Sequence, residues 1–99
     1  MNVLIATDKP FAKIAVDGIR TIVEQAGMTL SLLENYTEKD QLIRAVSKAH
    51  ALIVRSDKIT REVVEAAPDL KIVVRAGAGY DNLDLEACSD HNIVAMNTP

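Results

Sequence analysis

The chain predicts an α/β fold built on an all-parallel sheet, and three observations predict it. Short aliphatic runs recur at residues 3–6, 28–33, 51–54, 71–75 and 93–96. Segments with apolar residues at helical spacing separate the runs. Continuous aliphatic strands interleaved with helices indicate a parallel sheet covered on both faces.

The first strand, VLIA, is bounded by Thr7-Asp8-Lys9-Pro10, and Pro10 suits the start of a helix. From Phe11 the residues Ile14, Ala15, Gly18, Ile19, Ile22 and Val23 keep helical spacing, and Gly27 stands where a C-cap is expected. After the second strand, Thr37 with Asp40 three residues on looks like a capping box. Leu42, Ile43, Val46 and Ala49 mark one face of the helix that follows. Beyond the third strand, Thr60, Val63, Val64, Ala66 and Ala67 give a short helix stopped before Pro68. The last helix is expected over residues 84–91, with Leu85 and Cys88 on one side. Right-handed crossovers then place the five strands in the flavodoxin-like order 2-1-3-4-5. No linker, repeat or low-complexity tract interrupts the pattern, so the 99 residues form one domain.

Composition narrows the function. A net charge of −3 with eleven scattered cations gives no basic face for nucleic acid or an acidic membrane surface. No stretch approaches the roughly eighteen apolar residues of a membrane span, and residues 1–10 lack the apolar segment of a signal peptide. Cys88 is the only cysteine, which excludes an internal disulfide and fits a reducing compartment. A cytoplasmic domain is the expectation.

In such sheets ligands bind at the carboxyl ends of the strands, near the point where strand order reverses. Reading off those ends yields Thr7 and Asp8, then Arg55, Ser56 and Asp57, then the run from Arg75 to Gly79, then Asn97 and Thr98. Arginine grips carboxylate or phosphate in a bidentate fork. Gly77 and Gly79 allow consecutive N–H groups to point into one concavity, and a helix N-terminus near Asp84 faces the same side. This combination suits a small anion. The plainer reading stands beside it: a strand-end arginine is often solvated or paired with a neighbouring acid, here Asp57 or Asp81, and glycines after strands often only turn the chain.

Other candidates carry less. Residues 77–82, GAGYDN, resemble a dinucleotide fingerprint whose third glycine is Asn82, and no ribose-binding acid follows on a further strand. His50 and His91 have no ligand at metal-site spacing. No base accompanies Cys88, which reads as a packing residue, and Glu62 with Glu65 reads as a solvated helix face.

The motifs IVRS (53–56), RAGAGYDNLD (75–84) and NTP (97–99) come in an order and spacing that resembles the D-isomer-specific 2-hydroxyacid dehydrogenases. The resemblance is carried by residues 52–99, while residues 1–51 agree in β-α pattern only. It implies an NAD-dependent oxidoreductase. The likeness is greatest to members that oxidise 3-phosphoglycerate to 3-phosphohydroxypyruvate in serine biosynthesis. By that resemblance residues 1–99 are a substrate-binding domain, incomplete and without its nucleotide-binding domain. Arg55 and Ser56 would face the substrate cleft, with Arg55 toward the phosphate. Arg75 would lie on the cleft rim, and the N–H groups of Ala76 and Gly77 would hold the substrate carboxylate. Residue 78 would approach the nicotinamide, but many relatives have threonine there and Ala78 lacks its hydroxyl. Tyr80 replaces a smaller aliphatic residue.

The family's catalytic arginine, glutamate and histidine belong to the other domain, so no catalytic residue is expected in this chain and the chain alone should be inactive. The resemblance also implies a homo-oligomeric parent, and an uncovered apolar face through which this piece would self-associate. Two readings of other classes remain: a glycerate- or lactate-type dehydrogenase, and a receiver-like or interaction domain without chemistry. A receiver needs an aspartate ending the third strand, where this chain has Arg55.

Overall fold

The structure is a computed structural model and describes residues 1–7, 13–55, 57–76, 79 and 81–97, with residues 13–15 described in backbone only. Strands and helices alternate: β1 (Asn2–Thr7), α1 (Lys13–Gln25), β2 (Thr29–Glu34), α2 (Lys39–Val46), β3 (Ala51–Val54), α3 (Arg61–Glu65), β4 (Ile72–Arg75), α4 (Leu85–Asp90) and β5 (Val94–Asn97). All pairings are parallel and the sheet runs β2-β1-β3-β4-β5, the expected class and order. Pro10 and Phe11, the expected start of the first helix, lie outside the described residues.

Two helices stop by the same device. Gly27 sits at φ 77°, donating to the Glu24 carbonyl at 3.0 Å while Met28 N–H reaches the Val23 carbonyl at 3.0 Å. This is the left-handed ending that favours glycine. At the end of α4 the same pair of bonds runs from Asn92, φ 58°, to Ser89 at 3.1 Å and from Ile93 to Cys88 at 2.8 Å. Asparagine tolerates that backbone better than other side chains.

Two expectations are corrected. The cap of α2 is Glu38, one residue later than Thr37, and it is Gln41, not Asp40, that reaches back. Gln41 Oε1 accepts from the N–H groups of Thr37 at 2.9 Å and Glu38 at 3.1 Å. Asp40 is a methylene shorter and stands one position too early. In α4, Leu85 is 45% exposed, and the buried residues are Ala87 and Cys88. Leu83, just before the helix, joins the core in its place.

Helices cover the two faces of the sheet unequally. Side chains alternate between faces along each strand. One face carries Leu4, Ala6, Leu52, Val54 and Val73, and packs against Leu42 and Val46 of α2, Val63 and Val64 of α3, and Ala87 and Cys88 of α4. Exposed ion pairs tie these helices together, Lys39–Glu62 at 2.8 Å and Arg61–Asp90 at 3.0 Å. Solvent screens such surface pairs, and they add little to stability. The other face carries Val3 and Ile5, aligned with Ala51 and Ile53, then Ile72 and Val74, then Val94 and Met96. Val23 of α1 packs on the β1 end of this row. Cover thins toward β5, where Val94 is 57% and Met96 49% exposed. An open cleft of about 350 Å³, lined by Met1, Val3, Met28, Ala51 and Ile72 among others, continues the uncovered strip. Among the described residues no helix is long and apolar enough to cross a membrane.

Candidate functional site

Because every strand is parallel, all five carboxyl ends lie on one rim. Strand order reverses between β1 and β3, which is where ligands settle in open α/β sheets. β1 ends there in the fully buried Thr7. Val54 pairs with Arg75, and Arg75 with Asn97. The Ala76 N–H donates to the Val54 carbonyl at 2.7 Å. Arg55 and Ala76, each the first residue past its strand, are therefore neighbours. Arg55 is exposed, while Arg75, Ala76 and Asn97 are half-buried. Gly79 sits at φ 90°, a conformation that side chains other than glycine resist. Ser56, Gly77 and Ala78 lie outside the described residues, as do Asp8, Tyr80 and Thr98.

A set of polar contacts holds this rim, and the sequence did not point to it. Asp57 is only 5% exposed, yet polar. It accepts a hydrogen bond from the Tyr36 hydroxyl, from the loop after β2. Its other oxygen accepts from the Arg55 N–H at 3.3 Å, closing a local turn. From the loop after β4, the Asn82 carboxamide donates to two carbonyls, Arg55 at 2.9 Å and Asp57 at 2.7 Å. That pairing fixes the amide's orientation, since the flipped group would aim oxygen at two oxygens.

Main chain reinforces the contact. Ile59 N–H donates to Asn82 at 2.8 Å and Asp84 N–H to Ile59 at 2.9 Å, so residues 59 and 83 form a parallel bridge beyond the sheet. Three loops are thereby held together at one rim. The sequence marks Asp57 only as an acid that could pair with a strand-end arginine, and nothing in it joins Asp57 to Tyr36 or Asn82.

The N-terminus of α4 does not help bind an anion as expected. Asp84 Oδ1 accepts from the Ala87 N–H at 2.9 Å, so a carboxylate of the chain itself already occupies it. His50 lies at the opposite rim, where its Nδ1 accepts from the Asn2 N–H at 2.9 Å. His91 caps α4. Cys88 is buried, and burial first, then the nearby Asp84 charge, pushes its thiol pKa up. This is the reverse of what a nucleophile needs. Arg61, beside Asp90, is held more firmly protonated still. Among the described residues no cluster of His, Cys, Asp and Glu could hold a metal.

Comparison with known proteins bears on what this rim serves. The family model described as "D-isomer specific 2-hydroxyacid dehydrogenase, catalytic domain" matches residues 7–99. A D-3-phosphoglycerate dehydrogenase of Archaeoglobus fulgidus is 38% identical over 100% of this chain and 18% of its own length. The human protein of that name is 42% identical over 81% of this chain and 15% of its own. The crystal structure of an NAD⁺-bound 3-phosphoglycerate dehydrogenase of Entamoeba histolytica is 50% identical and superposes with a TM-score of 0.97, over 100% of this chain and 33% of that one. The chain thus spans less than a fifth of these curated relatives and a third of that structure. It belongs to the D-isomer-specific 2-hydroxyacid dehydrogenase family.

Proposed function

We propose that this chain is the substrate-binding part of an NAD-dependent dehydrogenase that oxidises D-3-phosphoglycerate to 3-phosphohydroxypyruvate. The observation that carries the reading is the adjacency of Arg55 to the Arg75–Ala76 strand end. The substrate is anionic at both ends, with a phosphate and a carboxylate. Two neighbouring strand ends supply two guanidinium groups and main-chain amides, which are receptors for two anions. In this reading Arg55 with Ser56 takes the phosphate and the Gly77 amide takes the carboxylate; the Ala76 N–H, expected to share that role, is already given to the Val54 carbonyl at 2.7 Å. Arg75 lines the rim between them. The names of the similar proteins favour the phosphorylated substrate over a lactate-type one.

The cofactor does not fit the described residues as its main site. Among the described residues the helix start that follows the glycines, that of α4, is capped by Asp84, and position 82 is asparagine where a phosphate cradle has glycine. NAD, the hydride acceptor of the parent enzyme, therefore belongs to residues of another domain, with Ala78 at most adjoining the nicotinamide. The reading also carries a cytoplasmic, homo-oligomeric parent, and self-association of this chain through the strip ending at Val94 and Met96.

The test is a titration of the ¹⁵N-labelled chain with D-3-phosphoglycerate, following the Arg55, Ala76 and Gly79 amides. Saturable shifts, weaker with D-glycerate, are expected. Equal response to D-glycerate points to an unphosphorylated substrate, and no response to either overturns the reading.

A further inference from the structure

We infer that Asn82 is a positioning residue for substrate: its carboxamide, clamped on the Arg55 and Asp57 carbonyls, sets where Arg55 stands relative to the end of β4 at Ala76. The inference rests on the proposed substrate reading and deepens it.

Arg55 is the first residue beyond β3 and is exposed, so strand pairing alone does not fix its backbone. Asn82 holds the Arg55 carbonyl at 2.9 Å and Asp57 holds the Arg55 N–H at 3.3 Å, while Asn82 also braces the Asp57 carbonyl at 2.7 Å. Asp57 is held in turn by the Tyr36 hydroxyl. Asn82 belongs to the same loop as Gly79, so one side chain ties the two halves of the anion receptor. A ligand with anions at both ends is sensitive to the distance between those halves, because a guanidinium fork and a main-chain donor must be engaged at once. In this reading Asn82 acts through Arg55.

The experiment compares D-3-phosphoglycerate affinity in wild type, Asn82→Ala, Arg55→Ala and the double variant. Each is measured by amide shifts well below its own melting temperature. The loss of an orienting group of this kind weakens binding by about tenfold. The expected result is that loss in Asn82→Ala, vanishing in the Arg55→Ala background, since residues that act as a unit are non-additive.

Unchanged affinity with a lowered melting temperature would show Asn82 to be purely structural and overturn the inference, leaving the substrate reading intact. A loss that persists without Arg55 would overturn the route through Arg55. Failure of wild type to bind would overturn both. If Asn82→Ala does not fold, Asn82→Ser, which keeps one donor, is expected to give an intermediate loss, and no loss in it counts against the inference equally.

Discussion

Replacing Tyr36 with phenylalanine deletes one hydroxyl and little else, which makes it a sharp probe of the rim. The hydroxyl donates to Asp57, whose side chain is 5% exposed and cannot readily exchange the lost donor for water. A hydrogen bond to a charged group contributes about 1.5–3 kcal/mol net. Taking about 2 kcal/mol, a domain of this size should melt roughly 8–16 °C lower. Calorimetry or circular dichroism reads the shift. Urea titration should move the midpoint without changing the slope, because the surface exposed on unfolding is nearly the same. In an Asp57→Asn background the cost of Tyr36→Phe should shrink, as it does for residues sharing one contact. A melting temperature within about 2 °C of wild type would show that the hydroxyl gains as much from water as from Asp57 and does not hold the rim.

Three further outcomes are expected. The Cys88 thiol should resist a thiol reagent in native buffer and react fully in urea. Its folded pKa lies above the unfolded value of about 8.5, so the folded state binds the proton more tightly. Its contribution to stability is then complete below the unfolded pKa and is lost as pH rises from there through the folded one. The urea midpoint of wild type should drop more than that of Cys88→Ala between neutral and strongly alkaline buffer, and parallel curves would refute this. Light scattering should show a mass rising above the 10.8 kDa monomer with concentration, and Val94→Lys with Met96→Lys should abolish the rise. A strictly monomeric wild type would refute the role of that strip. Finally, the purified chain given D-3-phosphoglycerate and NAD⁺ should produce no NADH, and any turnover by it would contradict the assignment of catalysis to another domain.

Features set by local chemistry were legible in the sequence; those set by contacts across loops were not. The aliphatic runs place all five strands within a residue at either end, because each run is broken by polar residues and helical spacing. Gly27 announces the end of α1, since a left-handed residue after a helix is most often glycine. Asn92 does the same job without announcing it, because asparagine occurs in many other settings. The nearness of Arg55 to Ala76 follows from adjacent strands alone. Tyr36, Asp57 and Asn82 meet across 21 and 25 residues of chain, and no periodicity marks such meetings. In α4, six residues make under two turns, so the face that packs depends on the angle at which the chain enters, and Leu85 turned outward.

The bridge between Ile59 and Leu83 makes two connections of the sheet mechanically one. Their amides alternate as partners, Ile59 on Asn82 and Asp84 on Ile59, so neither segment can lift without breaking the other's bonds. Hydrogen exchange at Ile59 and Asp84 should accordingly share a single opening rate. Any motion that admits a metabolite must swing this stitched pair as a solid piece or come from elsewhere in the molecule.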